Sequence, residues 1–90
     1  VRAELLWRKE TIEHIWYRHR IEIHDVEEAY SDPKAKISPA RSGRQKIYGK
    51  TRQGRYLTLI VEIEGERVAW LVTAWEMTPK ERAHYGRRKK

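Results

Sequence analysis

Apolar residues recur along this chain with two periods, and the switch between them divides it in half. In the first third, Ile12, Ile15, Trp16 and His19 stand at i, i+3, i+4 and i+7, the spacing of one helical stripe, and predict a helix over roughly 9–19. Ile23, Val26, Ala29 and Tyr30 repeat the pattern and predict a second helix over roughly 23–31, ended by Asp32-Pro33, because proline disfavours helical geometry in the residue before it. Ahead of both, Glu4-Leu5-Leu6-Trp7 is a short apolar run and reads as a strand. The stretch 38–43, Ser-Pro-Ala-Arg-Ser-Gly, reads as a loop by its breaker content, with one more strand if 34–38 pairs.

From Arg44 the period becomes two. Arg44–Thr51 reads as a strand. A Gln53-Gly54 turn leads into Arg55–Glu64, where Leu57, Leu59, Val61 and Ile63 alternate with Tyr56, Thr58 and Glu62, and only Ile60 interrupts the polar set. Glu64-Gly65-Glu66 is a second tight turn, and Arg67–Trp75, apolar on both faces, reads as a central strand. Strands joined by short glycine turns predict an antiparallel meander. Thr78-Pro79-Lys80-Glu81 combines a capping residue, a first-turn proline and a capping-box acid, and opens a short helix over 79–86. The fold class is therefore α+β: a small antiparallel sheet of three to five strands, two N-terminal helices packed on one face and a short C-terminal helix, in one domain over 1–90, with 87–90 as a disordered basic tail.

Composition narrows the partners. The net charge of +7 is unevenly spread: residues 1–32 sum to −3, residues 33–61 hold eight Lys/Arg and no acid, and residues 62–90 sum to +2. A basic block beside an acidic one directs a field outward and suits a polyanion, RNA first, although DNA, an acidic protein or a merely solvated face would also fit. The absence of cysteine excludes disulfide and thiol chemistry. No apolar run approaches the roughly 20 residues of a membrane span, and no signal-peptide pattern is present, so the expectation is a cytoplasmic protein with no membrane association. The chain opens on Val1, which suggests that a start methionine and a few residues precede it.

Side chains alternate along a strand, so Arg44, Lys46, Tyr48, Lys50 and Arg52 are expected on one face: cation, cation, aromatic, cation, cation. Phosphates would screen such a row, with Tyr48 or Tyr56 stacking on a base; Arg41 adds to it from the preceding loop. The plain alternative is a solvated edge strand whose lysines block aggregation. Trp7, Trp16 and Trp70 read as packing, and Trp75 either caps the core or forms a stacking wall. The histidines at 14, 19 and 24 are five apart, which keeps them off one helical face, so no metal site and no cofactor are expected. His19 reads as a buried structural residue, His14 and His24 as exposed, and His84 as an acid–base candidate.

The ordered set Leu6-Trp7, Ile12-Glu13-His14-Ile15, Arg18-His19, Val26-Glu27-Glu28, Asp32-Pro33, Ile47-Tyr48-Gly49, Gly54-Arg55-Tyr56-Leu57, Val72-Thr73-Ala74, Met77-Thr78, Glu81-Arg82 and Tyr85 resembles BrnT-like toxins over almost the whole chain. The resemblance implies a RelE-type ribonuclease toxin fold, RNA cleavage that blocks translation, and a cognate antitoxin, typically of the ribbon-helix-helix type. Self-association stays open. The resemblance supports Arg55 and Tyr85 as site residues. Where the family carries Arg after the Ser/Thr-Ala pair, this chain has Trp75 and then Glu76. An indole has no charge, so the cation would come from Arg44, Lys46 or Arg55, or the chain binds without cutting. The expectation is a metal-independent endoribonuclease in which Lys46 and Arg55 hold the scissile phosphate, Glu76 is the base, Tyr85 or His84 donates a proton, and Arg41, Arg44, Tyr48, Lys50, Arg52 and Trp75 bind RNA. The alternative is a non-catalytic RNA- or partner-binding module.

Overall fold

The computed structural model describes residues 3–87; the tail expected at 88–90 lies outside them. Five strands form one sheet in the order β1-β5-β4-β3-β2: β1 Glu4–Leu6, β2 Lys36–Pro39, β3 Arg44–Lys50, β4 Tyr56–Glu64 and β5 Val68–Glu76. Helices α1 (Lys9–His19) and α2 (Ile23–Tyr30) precede β2, and α3 (Pro79–Gly86) follows β5.

The β3-β4-β5 meander is antiparallel throughout, as the glycine turns require. Gly54 and Gly65 hold the left-handed φ values of +94° and +62° that let those turns close without a Cβ penalty. The sheet as a whole is mixed, not antiparallel, because β1 runs parallel to β5, with Leu5 opposite Ala69. Parallel pairing needs a long crossover, and α1 through β4 supply it. The 38–43 loop is shorter than its breakers suggest. Ser38 and Pro39 belong to β2, which pairs only with β3. Pro39 is tolerated there because it stands at the end of an edge strand, where no ladder N–H is needed.

The alternation of β4 decides where the core sits. Leu57, Leu59 and Val61 are fully buried beneath α1 and α2, together with Ile15, Ile21, Val26, Ala29, Ile47, Ala69, Leu71 and Ala74. Burying each Ile, Leu or Val side chain among these contributes roughly 1.5–3 kcal/mol relative to exposure. On β3, Gly49 lies against α2 so closely that a Cβ there would stand 2.1 Å from the Ala29 carbonyl oxygen.

The first-helix stripe is narrower than its spacing implies. Only Ile15 of α1 is buried, whereas Trp16 is 48% exposed and His19 is exposed, so neither the packing role of Trp16 nor the buried role of His19 holds. Arg20 leaves the helix in the left-handed region at φ 54°, and Ile21 then dives into the core, so one α1 residue and the exit residue do the anchoring expected of the whole stripe. Among the described residues, no helix is long and apolar enough to cross a membrane.

Candidate nucleic-acid interface

With Ile47, Gly49 and Thr51 turned toward α2 and the core, Arg44, Lys46, Tyr48 and Lys50 occupy the opposite face of the sheet. Across the ladder they meet Glu62, Ile60, Thr58 and Tyr56. This second face is bare of α1 and α2, and α3 lies over part of it.

Glu81 is one of the carboxylates that fasten α3. Glu81 Oε1 accepts hydrogen bonds from Thr58 Oγ1 at 2.9 Å, the Thr78 backbone N–H at 3.0 Å and the Trp75 indole N–H at 3.1 Å, and Lys46 Nζ stands 3.8 Å from Oε2. The reciprocal bond from Glu81 N–H to Thr78 Oγ1, 3.2 Å, completes the capping box. Burial pushes the Glu81 carboxyl up, but its donors and Lys46 outweigh that and hold it below the usual carboxylate range. The capping-box spacing located Glu81 in the sequence; its bonds to the sheet depend on tertiary placement and left no sequence signal.

α3 also divides the cationic row. Tyr48 is buried, with the His84 ring edge-on at 5.2 Å, so it is not a surface on which a base can stack. On one side of the helix, a groove of about 610 Å³ is lined by Arg41, Arg44 and Lys46 around Ile60 and Trp75, with no acid on its wall. Arg44 Nε is buried there with no hydrogen-bond partner. At 3.8 Å, Lys46 and Glu81 attract without a hydrogen bond, so the ammonium keeps its donors. Lys46 also lines the neighbouring hollow with Lys80 and the exposed His84. On the other side, Lys50 Nζ lies 5.3 Å from the Tyr56 ring. Arg52 does not continue the alternation, because β3 ends at Lys50 and Arg52 stands in the following turn, its N–H bonded to Glu28 at 3.0 Å.

Arg55 and Glu76 fall on the helical side of the sheet, away from Lys46. Arg55 reaches Glu76 Oε2 with Nε at 3.2 Å and Nη2 at 3.1 Å, while Nη1 contacts the Arg20 carbonyl at 3.1 Å and Asp25 Oδ2 at 3.4 Å. This guanidinium joins the α1–α2 corner to the ends of β4 and β5. It acts as a clamp, with four of its five donors engaged. The expected catalytic group of Lys46, Arg55, Glu76, His84 and Tyr85 is therefore not assembled: Lys46 and His84 line one hollow on the open face, and Arg55 and Glu76 pair behind it.

Tyr85 takes a third position. Its hydroxyl donates to Asp32 Oδ2 at 2.5 Å, and its ring packs edge-on against Tyr56 at 5.8 Å. Burial, the Asp32 hydrogen bond and the Asp32 charge push the phenol far above its usual range, so Tyr85 remains protonated. Asp32, read in the sequence only as a helix terminator, is the partner that reading missed.

Among the described residues, Glu22, His24 and Asp25 bring ligand-type atoms within 4.8 Å of one another. The trio is poorly suited to a cation. Asp25 already contacts Arg55, and the group sits at the start of α2, where the helix dipole favours negative charge.

No family model matches the chain, and no match among curated proteins reaches significance. Among solved structures, the chain is similar to the ribonuclease toxin BrnT of Brucella abortus, known from a 1.1 Å crystal structure, with a TM-score of 0.68 and 15% identity over 84% of this chain and 97% of that one. The chain thus has the BrnT-like toxin fold that the ordered sequence likeness implied.

Proposed function

We propose that this protein is a toxin-like, metal-independent endoribonuclease that binds single-stranded RNA in the groove beside α3. The observation that carries the reading is the acid-free groove in which Arg41, Arg44 and Lys46 surround Ile60 and Trp75. Cations there neutralise phosphates, and the indole offers a stacking wall. The likeness in fold to a ribonuclease toxin supports the same reading.

In this reading Lys46 and Arg44 stabilise the charged phosphorane, and His84 is the proton acceptor. The 2′-hydroxyl gives its proton to the imidazole and the oxygen attacks phosphorus. The 5′-oxygen departs with a proton from the Lys46 ammonium, leaving a cyclic phosphate. Glu81, held low and bonded to three donors, positions Lys46 and Trp75 and is a poor base. Blocked translation, a cytoplasmic site of action and a cognate antitoxin follow from the same reading.

The test is RNA incubated with purified protein without added metal. Cleavage is expected, with His84→Ala lowering its rate by about 10²–10⁴-fold at nearly unchanged affinity, and Lys46→Ala lowering rate and affinity together. A second reading, a binder that does not cut, is favoured by the uncharged Trp75 with its N–H committed to Glu81. RNA bound but left intact would select it.

A further inference from the structure

The other half of the divided cationic row opens into a second cleft, of about 880 Å³, where the end of α2, the 31–35 turn, β3 and the C-terminus of α3 converge. Its charges are arranged unusually. Lys34, Lys36, Lys50, Arg52 and Arg87 line it, against only Glu28 and Asp32. Both acids spend their hydrogen bonds on groups other than those cations' side chains, while the Lys34 charge still acts on Asp32. Asp32 accepts from the Lys34 N–H at 2.9 Å, the Lys50 N–H at 2.9 Å and the Tyr85 hydroxyl at 2.5 Å, and Glu28 accepts from the Arg52 N–H at 3.0 Å. Lys36 is occupied, since its ammonium donates to the carbonyls of His84 and Arg87 and closes the end of α3. The ammonium and guanidinium groups of Lys34, Lys50 and Arg52 are left without a carboxylate partner among the described ion pairs.

The cleft and the groove lie along the same stretch of β3, on either side of α3. Lys36, on the wall of the cleft, pairs across the ladder with Tyr48, and Tyr48 and Lys46 line the hollow that shares Lys46 with the groove. From Arg44 to Lys50 the row runs roughly 20 Å along β3, a span suited to a few nucleotides of one strand and too long for a single phosphate. Trp75 stands at one end and Tyr85 at the other. Aromatic rings among regularly spaced cations suit a nucleic acid better than an acidic peptide.

We infer that the cleft of Lys34, Lys50 and Arg52 is a second phosphate-binding subsite, which receives the continuing backbone of the RNA strand held in the Arg41–Arg44–Lys46 groove. This rests on the function proposed above and adds the substrate class: a single strand long enough to pass α3 and occupy both openings. Short oligonucleotides engage the groove alone.

The experiment compares binding of a mixed-sequence twelve-nucleotide RNA and a trinucleotide pool, both 2′-O-methylated so that neither can be cut, to the full chain and to a Lys34→Gln, Arg52→Gln double variant across a salt series. Both side chains are exposed, so the variant keeps the fold. The expected result is weaker binding of the twelve-mer by the variant, a salt slope lower by about 1.4 for two lost phosphate contacts on a single strand, and unchanged binding of the trinucleotides. Unchanged twelve-mer affinity and slope would remove the cleft from the RNA path, and so would an equal loss on both lengths, which would mean a diffuse field. An acidic peptide that displaces the twelve-mer from the cleft at lower concentration than RNA would also overturn it. If the unaltered protein binds neither RNA, the proposed function itself fails; if it binds and the variant does not differ, only the second subsite fails.

Discussion

A Cβ on Gly49 would meet the Ala29 carbonyl oxygen at 2.1 Å and its carbon at 2.7 Å, both backbone atoms that cannot turn aside. We therefore expect Gly49→Ala to push α2 off the sheet and to cost at least about 1–3 kcal/mol, read as a lower urea midpoint. Arg55 is tested differently. Asp25 is nearly buried, with its side chain 7% exposed, and Arg55 is its guanidinium partner, whereas the Glu76 side chain is 64% exposed. Arg55→Met should cost about 1–3 kcal/mol by removing the cation beside a buried carboxylate that keeps the Glu22 N–H and His24 as neighbours. Glu76→Gln should cost under about 1 kcal/mol. Neither should change the rate of RNA cleavage by the folded fraction; a large loss of rate in folded Glu76→Gln would return that residue to the chemistry. The sequence placed Arg55 at the head of a strand but gave no sign of its partners, because Arg20, Asp25 and Glu76 are distant in the chain. Tyr48 was misplaced for a related reason: strand alternation gives the face of a residue, not what lies over that face.

At the scale of elements, the helices and the meander were legible because period, caps and turn glycines act locally. β1 was legible as a strand from its apolar run, but its parallel pairing with β5 has no local pattern; β2 was legible only conditionally, over 34–38, because its serine and proline read as loop. The seat of α3 was equally hidden. That helix contributes no buried residue and is held by polar contacts, chiefly at Glu81 and Asp32. Both carboxyls lie below their ordinary values of 4.5 and 3.8: burial raises each, and hydrogen bonds and nearby lysines more than offset it. The sign follows. A depressed carboxyl stabilises the docked helix above its ordinary pKa, and that contribution disappears as pH falls through the lowered one. Acid titration should therefore undock α3, beginning below the ordinary carboxylate range, with Trp75 fluorescence reporting the loss of its Glu81 contact. Glu81→Gln should weaken docking at neutral pH and flatten that acid response; an unaltered titration would show that α3 is held by something else.

Across the whole molecule, charge and architecture coincide. The acid-rich first third forms α1 and α2 on one side, and the acid-free stretch 33–61 supplies most of the cations on the other. An oriented field of this kind steers a polyanion toward the bare face, so the association rate with RNA should fall steeply as salt rises. A rate independent of salt would argue that the field plays no part in capture. The parallel seam at the far edge carries a different consequence. Glu4 pairs with Val68, sixty-four positions later, through a strand of only three residues. Closing so long a loop for so short a ladder is slow, and the reward arrives late. On the ribosome, β1 must wait for β5 to emerge before it finds its neighbour. The hairpins of the meander can zip up first, and amide exchange should register that order, with β4 slowest and β1 fastest to take up deuterium.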